Sequence, residues 1–399
     1  MRARYPLGLP LSAAAVGPPV KLAPRYVLYF VLSFVATGLQ SMIPQAYFEA
    51  RSFGSGWLGG CLLSGALAAI ILVRVLHWLG RTMSQRQVHR ATALGWLIMG
   101  TTLLMELTPV PAAVFVGLYA ICRSVGYGLL DIIDRSLVSS GRHDPHQHAV
   151  KAALAQIAGI VVAPVWFAYA GRSFVEGVVL AVICVGSWGF SRALGPVPHS
   201  PGERGPSARE PGGSALFLLY VIAVATLASL FAAGAVLIVR ALYRPPEPVT
   251  HAGWLLAAMN VSAAMAAYLM GYLTRDMSVY AGAGFFLCTL WLWLGDERYG
   301  LLLAIGVGAG LCYGAFEVGA RREATRRQRD GGDSRPLEVF NNAVNYATLA
   351  ASLLLLGASW VARGSPVGTA QELRVILVAL AGVAALSALA ARVWQGGEP

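Results

Sequence analysis

An acidic residue and an arginine recur with the same spacing at two distant places in this chain. Residues 127–135 read Tyr-Gly-Leu-Leu-Asp-Ile-Ile-Asp-Arg, and residues 313–321 read Tyr-Gly-Ala-Phe-Glu-Val-Gly-Ala-Arg. In both copies the acid precedes the arginine by four residues, so a helix would carry both charges on one face. The two pairs are Asp131 with Arg135 and Glu317 with Arg321. Because a charge inside an apolar segment is costly, its repetition 186 positions later indicates an ancestral duplication.

These acids could carry protons, since a carboxyl group removed from water in a helix bundle can exchange a proton near neutral pH. Another charge, Arg123, lies near the middle of the first of the two apolar segments. At about 1.5 Å per residue, Asp131 lies ~12 Å further along that helix, toward its cytosolic end in the topology predicted below. Proton carriage and solvation at the membrane surface are therefore both open interpretations of Asp131.

The composition places the chain in a membrane. Of its 399 residues, 57% are hydrophobic and 12% are charged, about half the charged share of a soluble protein. Apolar windows long enough to cross ~30 Å of hydrocarbon recur along the chain. We therefore predict an all-α polytopic membrane protein with twelve transmembrane helices. The predicted spans are residues 26–48, 56–79, 92–108, 111–134, 150–170, 174–193, 215–240, 252–273, 279–295, 300–319, 338–361 and 373–392.

Basic residues are concentrated in alternate loops. With the N-terminus in the cytosol, 21 of the 30 lysines and arginines fall on the cytosolic side and seven on the opposite side. This positive-inside bias predicts that both termini are cytosolic. The net charge of +11 is therefore explained by topology, and nucleic acid is not expected as a partner. Abundant arginine, alanine and glycine with little lysine are typical of a high-GC bacterium, so we expect the bacterial cytoplasmic (inner) membrane.

The sequence contains no motif for a cofactor. Its five cysteines show no Cys-x-x-Cys spacing, so neither a disulfide nor a metal site is expected. It has no Gly-x-x-x-x-Gly-Lys-Ser/Thr segment, which argues against direct ATP binding. The predicted spans have no cluster of histidines and acids of the kind that a membrane enzyme would need. We expect a protein that is not an enzyme, acts as a monomer and binds no cofactor.

A polar segment rich in proline, glycine and serine, residues 195–214, separates the predicted spans into two groups of six. Gly-Trp-Leu occurs at residues 56–58 and again at 253–255, at corresponding places in the two groups. Six spans per group give the two halves parallel topology. The predicted units are a cytosolic tail (1–25), an N-terminal six-helix bundle (26–194), a cytosolic linker (195–214), a C-terminal six-helix bundle (215–392) and a cytosolic tail (393–399).

Two segments resemble motifs of the major facilitator superfamily of transporters. Residues 73–82 resemble the superfamily's loop Gly-x-Leu-Ala-Asp-Arg-x-Gly-Arg-Arg at Gly80 and Arg81, with His77 in place of the aspartate. Residues 118–128, around Arg123, are similar to the span-four motif of its proton-coupled exporters. The resemblance implies two pseudo-symmetric six-helix bundles that rock around a central cavity. It also implies that acids at the cytosolic ends of spans four and ten form a gate. The gating residues would be Asp131, Arg135, Glu317, Arg321, Gly80 and Arg81.

The candidate substrate-binding residues are polar groups within predicted spans. Arg123 in span four would cost ~2.5–3.5 kcal/mol to insert and needs a partner, either an anionic substrate or neighbouring carbonyl groups. The amide side chains either contact substrate, join helices or cap a helix end. The full set is Arg123, Gln40, Gln45, Gln156, Asn260 and Asn345.

These observations predict a secondary active transporter that works by alternating access. The first expectation is proton-coupled export of a small organic molecule, of drug, siderophore or metabolite type and anionic in character. One alternative is an importer of a siderophore or similar solute. Another is a membrane receptor or partner subunit that does not transport.

Overall fold

The computed structural model describes six long helices and several shorter pieces of this chain. The described residues are 44–45, 47–48, 53–79, 111–117, 119–120, 161, 165, 213–243, 245, 247–270, 281, 284, 286–289, 298–331, 335–363 and 365–396. Within these residues the regular structure is helical throughout. This confirms the prediction of an all-α fold. The number of twelve spans stays a prediction, since much of the chain lies outside the described residues.

The six helices correspond to predicted spans two, seven, eight, ten, eleven and twelve. They are α1 (Ser55–Leu79), α2 (Gly213–Tyr243), α3 (Pro248–Met270), α4 (Tyr299–Gly331), α5 (Arg335–Val361) and α6 (Pro366–Gly396). Five of them, α1 to α4 and α6, contain an apolar stretch long enough to cross a bilayer. A sixth apolar stretch, Asn345–Val361 in α5, is shorter. The chain is therefore a multi-pass membrane protein.

Helix α4 is longer than its predicted span of residues 300–319. It has 33 residues, or about 50 Å at 1.5 Å per residue, well beyond the ~30 Å of hydrocarbon. Its apolar part is Tyr299–Ala324. The arginine-rich stretch that follows, predicted as a cytosolic loop, thus continues the helix to Gly331.

Four pairings organise the packing of these helices. Helix α4 packs along α3, and α2 packs against both α6 and α5. Helix α1, from the predicted first half, packs against α5 of the second half. One large hydrophobic core joins α1, α2 and α5 through fully buried residues such as Cys61, Leu227 and Leu355. The contact between the predicted halves is therefore continuous with the core of the bundle.

Glycines set the distance between α3 and α4. Gly310 and Gly314 lie one helical turn apart on α4, facing the backbone of α3. A Cβ atom at Gly310 would overlap the carbonyl oxygen of Met259, and one at Gly314 would overlap that of Ala263. Small residues at such spacing let two membrane helices approach backbone to backbone. Glycine is thus required at these two positions by the closeness of the helices.

Candidate functional site: the seam between the two halves

The described polar residues are concentrated where α1 meets the second half of the chain. Along this α1–α5 seam, Gly59 allows α1 to lie close to Leu356. A Cβ atom at Gly59 would be 2.8 Å from Leu356 Cγ and 3.3 Å from the Leu356 backbone nitrogen. Close packing brings the side chains on either side of this contact within hydrogen-bonding distance.

Three hydroxyl groups join the helices where α1 begins. Ser55 Oγ lies 2.8 Å from Ser359 Oγ near the end of α5 and 3.0 Å from Thr369 Oγ1 near the start of α6. All three residues are buried. We call this the Ser55 end of the seam, and the predicted topology puts it on the outer side of the membrane.

Gln45 makes a second tie at the Ser55 end. A hydrogen bond from the Phe53 backbone N–H to the Phe48 carbonyl (3.0 Å) joins the segment that contains Gln45 to the residues just before α1. Gln45 Nε2 donates to the carbonyl oxygen of Ala232 (2.9 Å), and Gln45 Oε1 accepts from the backbone N–H of Val236 (3.2 Å). These two backbone groups on α2 are four residues apart and would normally bond to each other. The Gln45 amide thus bridges one hydrogen-bonded turn of a helix in the other half.

A different contact joins the halves further along α1. Arg74 Nη2 donates to the hydroxyl of Tyr346 on α5 at 3.2 Å, and both side chains are exposed. Arg74 follows Ser55 by 19 residues, or about 28 Å of helix. We call this the Arg74 end of the seam, on the cytosolic side of the predicted topology. Polar bonds therefore connect α1 with α5 near both of its ends.

Helix α5 carries a buried polar stripe between these two ends. Its members follow helical spacing along one face and are Asn345, Thr348, Ser352 and Ser359. Ser352 Oγ donates within the helix to the carbonyl oxygen of Thr348 at 2.7 Å. Asn345 Oδ1 is buried without a hydrogen-bond partner in the described part of the chain, as is Thr226 Oγ1 on the neighbouring α2. Buried polar atoms of this kind usually bind water or a ligand.

The amide of Asn260 has a local role. Its Nδ2 donates to the carbonyl oxygen of Leu256 on the same helix at 2.8 Å. The bond spans four residues within α3 and joins no second helix. The structure therefore places Asn260 apart from the seam that holds Gln45 and Asn345.

Glu317 and Arg321 form a buried ion pair within α4. Arg321 Nη2 donates to Glu317 Oε1 at 3.0 Å, and the two side chains are 7% and 2% exposed, respectively. The adjacent Arg322 donates to the carbonyl oxygen of Met270 on α3 at 3.2 Å. The charges thus lie near the end of the apolar stretch of α4, and Arg322 links α4 to α3.

Several sequence-predicted site residues lie outside the described residues: Arg123, Gln40, Gln156, Asp131, Arg135, Gly80 and Arg81. Their roles stay predictions. The seam also contains residues that the sequence did not single out, among them Ser55 and Thr369. Arg74 carried a usable signal, since a charge within a predicted span needs a partner.

We expect Gln45→Leu to loosen the Ser55 end without unfolding the protein. The Ala232 carbonyl and Val236 N–H belong to one turn of the continuous helix α2, so helical pairing satisfies both groups when the amide is gone. Side-chain hydrogen bonds between membrane helices average about 0.6 kcal/mol, so losing two of them amounts to ~1 kcal/mol. This would shift an open–closed equilibrium about fivefold toward separation of the halves.

Distances between spin labels at Gly54 and Val367, in a chain without native cysteines, would report this shift. Both positions are exposed near the Ser55 end, one before α1 and the other in α6. Asn260→Leu is the matched control, since the amide bond that the described residues show for Asn260 lies within α3. An equal shift in the control would mean that the Gln45 bonds do not hold the halves together.

Three solved structures with a similar architecture are those of transporters. A point mutant of the nucleoside transporter NupG matches with a TM-score of 0.71 and 12% identity, covering 92% of this chain and 98% of that one. NupG without the mutation matches with a TM-score of 0.66 and 13% identity, over 93% and 99%. The human organic anion transporter MFSD10 (TETRAN) matches with a TM-score of 0.63 and 11% identity, over 94% and 100%.

The similarity is one of structure. No protein-family model matches the sequence, and no curated protein matches it significantly. The structural matches nevertheless extend over more than nine-tenths of this chain and nearly all of each transporter. This chain therefore has the fold of the major facilitator superfamily transporters.

Proposed function

We propose that this protein is a secondary transporter that exports a small organic molecule across the membrane by alternating access, with protons as the coupling ion. Its fold, which it shares with a nucleoside transporter and an organic anion transporter, supports transport as the general activity. In this proposal Gln45 and the hydroxyl groups around Ser55 close one end of the pathway. They would separate when the two halves rock apart.

The observation that carries the proposal is a pair of buried oxygen atoms, Asn345 Oδ1 and Thr226 Oγ1, that have no hydrogen-bond partner among the described residues. Leaving a buried polar group unsatisfied costs about 1–3 kcal/mol. Helices α2 and α5, which carry these atoms, pack against each other, and α5 also packs against α1. A substrate with N–H or O–H donors would satisfy the Asn345 acceptor. Because Arg123 is predicted to contact the substrate, we propose that the substrate is negatively charged.

Flux measured in vesicles of both orientations tests this function. Radiolabelled organic anions and nucleosides would be offered to inverted and right-side-out vesicles that contain the protein. Export predicts accumulation in inverted vesicles, driven by an inward proton gradient and abolished by a protonophore. Accumulation only in right-side-out vesicles would support the importer instead. Binding without flux in either orientation would support a receptor or partner subunit.

For a substrate found in this way, we expect Asn345→Leu to raise the KM about tenfold, equivalent to ~1.4 kcal/mol. Arg123→Ala should abolish transport of anionic substrates and leave any neutral ones less affected. The matched control is Ser352→Ala on the same face of α5, because the Ser352 hydroxyl donates within its own helix, to the Thr348 carbonyl. Unchanged transport in both Asn345→Leu and Arg123→Ala would contradict this placement of the site.

A further inference from the structure

The fold brings together two cysteines that the sequence keeps 24 positions apart. The thiols of Cys288 and Cys312 are hydrogen-bonded to each other. Cys312 belongs to α4, and Cys288 lies in the helical segment 286–289 before it. Neither forms a disulfide in the structure, and both side chains are half-buried. The local spacing of the cysteines in the sequence does not indicate this pair.

A reciprocal arrangement of glycines makes room for the two sulfur atoms. A Cβ atom at Gly308 would lie 2.8 Å from Cys288 Sγ, and one at Gly284 would overlap Cys312 Sγ. Each glycine precedes the cysteine of its own helix by four residues, so both helices carry Gly-x-x-x-Cys. Each thiol thus packs on the glycine of the opposite helix, as expected for antiparallel neighbours that approach closely.

The pair lies deep in the apolar part of the chain. Cys312 is 13 residues from the first residue and 12 from the last of the apolar stretch Tyr299–Ala324, so ~18–20 Å of helix separates it from either end. The neighbouring Leu287 and Leu311 are 57% and 36% exposed on the surface of the bundle. We infer that these exposed apolar side chains face lipid. A reagent dissolved in the bilayer can therefore reach this site more readily than a charged one in water.

We propose that Cys288 and Cys312 form a membrane-buried redox site, in which a lipid-soluble quinone oxidises the two thiols to a disulfide joining α4 to the helical segment before it. Each thiol gives up its proton, and one S–S bond forms between the sulfur atoms. The two electrons and two protons pass to the quinone, which becomes a quinol. Because the two side chains already contact each other, we expect the disulfide to form with little backbone movement. A dithiol reductant reverses the reaction by thiol–disulfide exchange.

The test uses the full-length protein in liposomes, with Cys61, Cys122 and Cys184 replaced by serine. After treatment with a short-chain quinone, the protein is denatured and its free thiols are counted by maleimide labelling. We expect two labelled thiols before oxidation, none after it, and two again after reduction, with a monomeric band on a non-reducing gel. Two thiols still labelled after oxidation would overturn the proposal, and so would a disulfide-linked dimer. If the triple variant does not fold, mass spectrometry of the oxidised wild-type protein would show whether the peptides containing Cys288 and Cys312 are linked.

Two controls test the packing of the two thiols against each other's helix and their depth in the bilayer. Gly308→Ala keeps both thiols but places a methyl group against Cys288 Sγ, so disulfide formation should slow several-fold. Glutathione disulfide, a charged oxidant confined to water, should act much more slowly than the quinone. Equal rates with the two oxidants would contradict a site buried in the bilayer. An unchanged rate in Gly308→Ala would contradict the reciprocal packing on which the pairing rests.

Discussion

Arg321→Ala is expected to destabilise the protein by about 3–5 kcal/mol, the usual cost of removing one partner from a buried ion pair. The substitution would leave the Glu317 carboxylate, whose side chain is 2% exposed, without the guanidinium that lies 3.0 Å from it. The two residues are one turn apart on α4, so no backbone movement is needed to hold the pair. We expect a large fall in Tm for the purified protein in detergent.

A double substitution separates the stabilisation by the Glu317–Arg321 ion pair from the cost of leaving the Glu317 carboxylate buried without a partner. Glu317→Leu combined with Arg321→Met removes both charges and keeps apolar volume, and such replacements are often neutral or stabilising. We therefore expect the double variant to be much closer to wild type in Tm than Arg321→Ala. A double variant as unstable as Arg321→Ala would show that packing, and not the unpaired charge, causes the loss.

Arg322→Ala is the matched control in the next position of the same helix. Arg322 donates to the Met270 carbonyl and is not part of the Glu317 ion pair. Its loss should cost about 1.5–3 kcal/mol, as for a hydrogen bond to a charged group. Equal losses of Tm in Arg321→Ala and Arg322→Ala would argue against a special role for the ion pair. Changed transport with unchanged Tm in Arg321→Ala would instead favour the gating role proposed for this pair.

Hydropathy located the membrane helices well because the physics behind it is local. A backbone in hydrocarbon must satisfy its own hydrogen bonds, so any sufficiently long apolar run forms a helix. Predicted spans 56–79 and 338–361 agree closely with α1 and α5. The end of α4 was predicted wrongly, because hydropathy shows where a helix leaves the membrane and not where it ends. Residues 320–330 contain five arginines and two alanines, which favour helix, and the glycine pair that can end it comes only at 331–332.

The seam could be predicted only in part, because its contacts join residues far apart in sequence. A glutamine in an apolar helix must find a partner, and that much was foreseen for Gln45. Its partners on α2 are 187 and 191 positions away, and no local pattern indicates them. Serine is common in membrane helices for packing reasons alone, so Ser55 carried no signal. The Cys288–Cys312 pair did carry a signal in the sequence, since Gly-x-x-x-Cys occurs in both segments.

We expect Gly310→Ala to destabilise the protein by about 1–3 kcal/mol or more, although alanine favours helix more than glycine does. The added methyl group would overlap the Met259 carbonyl oxygen and the Ser262 hydroxyl on α3. The carbonyl belongs to a helix backbone, which cannot turn aside as a flexible side chain could. Helices α3 and α4 would have to separate and lose close contact along their length. Gly314→Ala, which meets the Ala263 carbonyl, should behave in the same way.

Gly357→Ala on α5 is the control for this prediction, because we expect it to change the Tm in the opposite direction. Gly357 is exposed within a helix, and a Cβ atom there would meet nothing within 4 Å. Helix propensity alone then predicts a gain of up to about 1 kcal/mol. Thermal unfolding in detergent should therefore move in opposite directions, upward for Gly357→Ala and downward for Gly310→Ala. If both substitutions raise the Tm, α3 and α4 do not approach backbone to backbone, and their closeness cannot be the reason for glycine at position 310.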